Sequence, residues 1–411
     1  MRTILALVLF AGASLGADGP GWPQYGGPSR DFVRPAVTPG PGADGVWERD
    51  LGPGTSGVVC QGAILVTAYS VPNPKQSSEG DEVVVALDRA TGKTLWERRD
   101  PVARLKGQQS YSGDPIRPEA TPAISGPRVC TLGYTGLLSG FDLATGKLVW
   151  RHDLVKDFGA TPVQFGFAAS PLVAAGRFVV HVGGAQAAAI AFDPADGAVV
   201  WKSKPAEPSY SSPVLMPSDR GDVVVQMTRD AVLGFDAKGG QTRWTYALPK
   251  TGLTNVPTPI VLPDRRLLIS GQGVLGTRLL EVAAAGDAVA EVWKNEKVTF
   301  FAANWLADGE AVYGSADKFA RALRLSDGKE LWREWGLADA NLLRVGPDAV
   351  VLRGDGEFVH ARLSPTAYEQ VSRGEKVAGR CWAAPTLVGD TVYVRSESKL
   401  RALKLSSILK P

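Results

Sequence analysis

Side chains able to do chemistry are few and widely spaced in this chain of 411 residues. The three histidines, His152, His181 and His360, share no helix or hairpin ligand spacing, so a histidine metal centre has no footing. His181 sits in an apolar run and reads as a core or channel histidine, while His152, just after Trp150, reads as exposed. The three cysteines, Cys60, Cys130 and Cys381, match no zinc spacing. They suit buried thiols acting as small core residues. A Cys60–Cys381 disulfide is the other option, since both lie near the starts of repeats that would adjoin in a closed ring. There is no Gly-x-Ser-x-Gly elbow, and the glycine-rich stretches 182–185 and 270–273 precede no helix. That removes the simplest hydrolase and phosphate-cradle readings.

Polar and aromatic side chains gather instead in unrepeated segments. Residues 105–121 hold Gln108, Gln109, Tyr111, Arg117 and Glu119, and residues 156–170 hold Gln164, Phe165 and Phe167. Shorter segments contribute Tyr210, Asn255, Phe300 with Asn304, Asn341, and Arg380 with Trp382. From these, Gln108, Tyr111, Arg117, Glu119, Gln164, Phe165, Tyr210, Asn255, Asn304, Asn341 and Arg380 form the candidate binding set. The mixture suits an extended polar ligand or a peptide, and the same groups could also serve only to satisfy loop backbone. No catalytic residue and no metal ligand is assigned.

What must position these segments is a repeat. Asp88-Gly92-Trp96, Asp142-Gly146-Trp150, Asp193-Gly197-Trp201 and Asp236-Gly240-Trp244 share one spacing, with a looser Arg324-Gly328-Trp332 and an expanded copy ending at Trp293. The period is about 47 residues, in the range of propeller blades. Short β-branched runs separated by Gly, Pro and Asp indicate an all-β chain. In each phrase the Asp can accept from the N–H groups of a tight hairpin, the Gly supplies positive φ, and the Trp packs against the next blade. First strands are expected near Gly57, Thr121, Ser170, Ser212, Thr258, Ala303, Leu342 and Ala384. Outer strands are expected at Trp96, Trp150, Trp201, Trp244, Trp293, Trp332 and, in degenerate form, around Tyr368. The last blade runs out of chain, and the strand around Trp47 can complete it. The expected fold is an eight-bladed β-propeller of four-stranded antiparallel blades, closed by that N-terminal strand and lacking exposed sheet edges.

Residues 1–17 read as a signal peptide, with Arg2, the apolar run 4–13 and a small-residue cleavage region at 14–17. No cysteine follows it, so no lipoprotein anchor is expected. An extended leader (18–42) would precede a single propeller (43–408), exported to the periplasm or outside the cell. No other run approaches the length of a membrane-spanning helix. A net charge of +3 on 45 basic and 42 acidic side chains gives no case for nucleic acid. The segment 69–81, rich in Ser, Pro and Lys, reads as a solvated loop.

The phrase Ala86-Leu87-Asp88-Arg89-Ala90-Thr91-Gly92-Lys93-Thr94-Leu95-Trp96 resembles the repeat of quinoprotein-dehydrogenase-like (PQQ-repeat) propellers, including the BamB type. The leader Trp22-Pro23-Gln24-Tyr25-Gly26-Gly27-Pro28 resembles that of many secreted single-domain members. The resemblance covers roughly residues 43–405. It implies eight blades docked through their outer-strand tryptophans. It also implies either a non-catalytic scaffold or a dehydrogenase carrying pyrroloquinoline quinone with calcium. Those dehydrogenases typically have an adjacent Cys-Cys pair over the quinone, and this chain has none. The leading expectation is therefore an exported, non-catalytic, monomeric propeller that binds an envelope protein or extended polymer without a cofactor. A quinone-dependent alcohol or sugar oxidoreductase and a carbohydrate-binding propeller are the alternatives.

Overall fold

The computed structural model describes residues 21–37, 46–109, 115–252, 254–316 and 318–410; the expected signal segment and Tyr111 lie outside them. Eight sheets follow one another along the chain, each built on four antiparallel strands. In the first blade the strands are Val59–Gln61, Ile64–Asn73, Gln76–Asp88 and Thr94–Ala103. In the eighth, Thr386–Val388, Thr391–Arg395 and Lys399–Lys404 are completed by Trp47–Asp50, with Trp47 opposite Ala402 and Asp50 opposite Lys399. The ring therefore closes through its N-terminal strand, as the sequence predicts. Second and third strands such as Val223–Met227 and Ala189–Phe192 are buried throughout because each blade is covered on both faces by its neighbours.

The Asp–Gly–Trp phrase proves to be one docking joint shared between two blades. Asp88 Oδ1 accepts from the N–H of Thr91 at 2.9 Å, closing the hairpin, and Gly92 has φ 68°. The indole of Trp47 from the eighth blade lies on that glycine and donates to the carbonyl of Arg89 at 3.0 Å. Trp96 repeats the contact with Gly146 and the carbonyl of Leu143, and Trp150 repeats it with Gly197 and the carbonyl of Pro194. A Cβ at Gly146 would stand 2.4 Å from the Trp96 ring. Glycine is thus required twice over, for backbone conformation and for ring approach.

One feature of the outer strands is absent from the sequence reading. In the outer strands carrying Trp96, Trp150, Trp201, Trp244, Trp293 and Trp332 the register slips just before the Trp, as where Leu87 faces Thr94 but Ala86 faces Trp96. The bulge turns the indole toward the next blade. It also leaves the skipped residue outside, so Leu95, Val200 and Val292 are exposed aliphatics. Two further differences concern the loops. Residues 69–81 are not a solvated loop: the second and third strands run on, pairing Tyr69 with Val83 and Val71 with Asp81, so ladder bonds satisfy the backbone. A short helix, Leu154–Phe158, is capped by Asp153, whose side chain accepts from Val155 N and Lys156 N.

The leader lies on the axis of the ring. Trp22 exchanges backbone bonds with Cys60 of the first blade, the carbonyl of Pro23 accepts from Ile124 of the second, and Gln24 Oε1 accepts from Val173 of the third. After a turn at Gly26–Gly27, Val33–Arg34 pair in parallel with Arg344–Val345 of the seventh blade. Trp22 and Phe32 are buried. A segment touching inner strands from opposite sides of a ring must fill its centre. All three cysteines are buried and none is in a disulfide among the described residues, consistent with thiols in the core. Among the described residues no helix is long and apolar enough to cross a membrane.

Candidate functional site

One cavity of about 390 Å³ opens where the connections between blades converge on the axis. Each of the eight connections contributes, from Thr55 before the first blade to Trp382 before the eighth, and Tyr25 of the leader reaches it from the channel. Tyr134, Phe165, Tyr210, Phe301 and Trp382 supply aromatic surface to its walls.

The most charged part of the rim joins the second and eighth blades. Arg117 Nε lies 3.6 Å from Glu119 Oε1, and its Nη1 lies 3.7 Å from Glu397 Oε1. Arg380 Nη2 approaches the same Glu397 oxygen at 2.7 Å. Both guanidiniums lie over the Trp382 ring, 5.0 Å and 4.7 Å from its centroid. Enclosure in the mouth pushes the Glu119 carboxyl up to about 7, against the opposing pull of Arg117.

On the other side, Gln109 and Gln164 hold two loops together. Gln109 N–H donates to the Gln164 carbonyl at 2.6 Å, and Gln164 Nε2 donates to Gln109 Oε1 at 2.7 Å. Tyr134 donates its hydroxyl to the Gln109 carbonyl at 2.6 Å. Tyr210 OH accepts from Phe165 N–H at 3.0 Å, and burial raises its pKa to about 12.

A collar of hydroxyls rings the cavity at the start of the inner strands. Thr121 Oγ1 accepts from Gly57 N–H at 3.1 Å, and Ser170 Oγ from Thr121 N–H at 2.9 Å. Ser212 Oγ accepts from Ser170 N–H at 2.9 Å, and Thr258 Oγ1 from Ser212 N–H at 3.3 Å. All four side chains line the cavity. Each stitches one blade to the next through its oxygen.

Of the sequence-predicted set, Arg117, Glu119, Phe165, Tyr210 and Asn341 line the cavity. Gln108, Gln164, Asn255, Asn304 and Arg380 do not, and Tyr111 is outside the described residues. Gln108 is buried between Leu105 N and the Tyr134 carbonyl. Asn255 donates to the Thr228 carbonyl at 2.8 Å; Asn304 donates to the Leu342 carbonyl and accepts from its N–H, both at 2.7 Å. These amides satisfy buried backbone, the other role open to them. His152 is half-buried rather than exposed: its Nε2 is 2.8 Å from the Gly197 carbonyl, and its ring packs on Phe158 and Phe192. His181 is a core histidine, accepting from Ser209 N–H at 2.9 Å, with burial lowering its pKa to about 4.

Sequence reasoning missed Tyr25, Tyr134 and the collar. For the collar a signal exists. A Ser or Thr immediately precedes Pro at Thr121, Ser170, Ser212 and Thr258, in register with the repeat. Nothing local marks Tyr25, because only the path of the leader brings it there.

A closed ring of eight blades joined through in-register Asp–Gly–Trp hairpins, with its variable connections gathered at one mouth, defines a PQQ-repeat propeller. The chain belongs to the family described as outer membrane protein assembly factor BamB, which matches residues 80–334. The BamB protein of Yersinia pestis is 29% identical over 162 residues, 39% of this chain and 40% of that protein. The BamB protein of Burkholderia pseudomallei is 23% identical over 289 residues, 67% of this chain and 70% of that protein. The Yersinia match thus spans two fifths of that relative's length. Among solved structures, quinohemoprotein alcohol dehydrogenase ADHIIG from Pseudomonas putida HK5 superposes with a TM-score of 0.64 at 12% identity, covering 96% of this chain and 81% of that one. At that identity the likeness shows the fold alone.

Proposed function

We propose that this protein is a non-catalytic scaffold of the cell envelope that holds a protein partner at the mouth of its channel. The observation that carries this reading is the convergence of all eight connections on one aromatic-walled cavity, above an axis filled by the leader. Aromatic and arginine side chains are the ones that anchor protein interfaces. Membership in a family described as an assembly factor, and the signal-like segment 1–17, support the envelope setting.

The residues at the mouth fit a quinone–calcium pair poorly. Calcium takes six to eight oxygen ligands, several of them carboxylates. Among the described residues the carboxyls lining the cavity are Glu119 and Asp339, Glu119 is engaged by Arg117, and no group of three or more His, Cys, Asp or Glu is gathered. No step through such a pair is derived.

A photo-crosslinking amino acid at Phe301 in living cells should give adducts with envelope proteins, and Trp382→Ala should reduce them. Crosslinks that are absent from the mouth would defeat the proposal. So would stoichiometric retention of added pyrroloquinoline quinone with calcium after desalting, accompanied by dye-linked alcohol oxidation.

A further inference from the structure

We infer that the floor of the mouth is a receptor for a single carboxylate attached to an apolar body, read by the hydroxyl collar and by Arg30 behind it. The inference rests on the mouth being the binding face proposed above.

The collar supplies the donors. A hydroxyl can accept through its oxygen and donate its hydrogen at the same time. Thr121, Ser170 and Ser212 each spend only the oxygen, on the N–H of the preceding blade. Their hydrogens have no acceptor among the described residues, and all three side chains border the cavity. Three O–H donors spaced around one floor match an acceptor-only group such as a carboxylate. The fourth hydroxyl, Thr258, interacts with the Tyr25 side chain, which borders the same floor.

Arg30 supplies the charge. The leader carries it into the channel, where it is 6% exposed. Its Nη1 donates to the Pro171 carbonyl at 2.9 Å and to Gln24 Oε1 at 3.4 Å, and Nη2 to the Ser170 carbonyl at 3.4 Å. Nε has no partner. Among the described residues it makes no ion pair, and burial lowers its pKa to about 10. A buried guanidinium without a counter-charge is destabilising unless an anion comes near. The one it lacks fits on the collar: Arg30 binds the main chain of the residue whose hydroxyl faces the cavity, and its guanidinium stands 5.7 Å from the Tyr25 ring.

The walls define the rest of the ligand. Phe165, Tyr210, Phe301 and Trp382 would enclose an aromatic or aliphatic body. Among the described residues the carboxyls at the cavity are Glu119, which is paired with Arg117 and is itself a donor when protonated, and Asp339. The carboxylate could be that of a small organic acid or of a polypeptide C-terminus.

The test is calorimetric titration of the full chain with phenylacetate and with its neutral analogue phenylacetamide. The acid should bind at least about tenfold more tightly. Arg30→Gln should erase the preference, and Ser212→Ala should shrink it, each read only on protein whose melting transition is retained. Equal affinity for acid and amide in the parent protein, or no binding of either at millimolar concentration, overturns the inference without relying on any variant. A blocked tripeptide ending in leucine, as free acid and as amide, separates the sources. Tighter binding of the peptide acid than of phenylacetate assigns a chain terminus, and the reverse assigns a small acid. If crosslinks at Phe301 persist while the acid–amide preference is absent, the scaffold proposal stands and this inference falls.

Discussion

Trp150→Ala isolates one joint of the ring. The indole is 6% exposed, stacks on Phe192 of the next blade with centroids 6.1 Å apart, and donates to the Pro194 carbonyl at 3.1 Å. Replacing a buried Trp by Ala costs about 3–5 kcal/mol, chiefly through lost burial and the cavity left behind. The unmet Pro194 carbonyl is at a half-open hairpin that water can reach, so little is added for it. With an unfolding entropy of roughly 2.1 cal/mol/K per residue over 411 residues, each kcal/mol lowers Tm by about 1 °C. The midpoint should therefore fall by roughly 3–6 °C in differential scanning calorimetry. Gly197→Ala should act in the same interface, since its Cβ would stand 2.6 Å from the Trp150 ring and its φ is 74°. A Trp150→Ala midpoint within about 1 °C of the parent would refute the docking account, and an unchanged Gly197→Ala would refute the close-approach argument.

Removing residues 1–50 should lower the melting point more than any single docking substitution, because it opens the eighth blade and empties the channel together; an unchanged transition would contradict closure by the N-terminal strand. Glu82 is buried beneath the Tyr134 N–H, and burial, with Asp100 adding to it, pushes its carboxyl up to about 7. The native state then holds a proton that the unfolded chain releases near pH 4–4.5, so this group's contribution to stability falls as pH rises from about 4.5 to 7. Glu82→Gln should therefore gain on the parent across that window in urea titrations, and a pH-independent difference would disprove the shift. Native protein should leave Cys60, Cys130 and Cys381 unreacted with a thiol reagent, and denatured, unreduced protein should titrate three thiols; two missing thiols would reveal a disulfide.

The sequence determined the ring. A recurring Asp, Gly and Trp is a local pattern whose geometry is fixed within one hairpin, so blade number, docking residues and closure by Trp47 are legible residue by residue. The bulge before each Trp was not legible, because a register slip depends on the partner strand. At the mouth, Arg117, Glu119, Phe165 and Tyr210 could be named from their loops. Asn255 and Asn304 could not be told apart from them, since an amide's role is set by which backbone groups lack partners after folding.

Only the tertiary structure decided what fills the middle. The leader has no repeat and little regular structure; its backbone bonds go to the first, second and seventh blades and its Gln24 and Arg30 side chains bond the third, which only a closed ring brings within reach of one short segment. The same closure turns a Ser or Thr before each of four prolines into a collar, and sets a buried arginine behind it. Chain-local chemistry can specify a blade. A site shared by eight blades exists only once they meet.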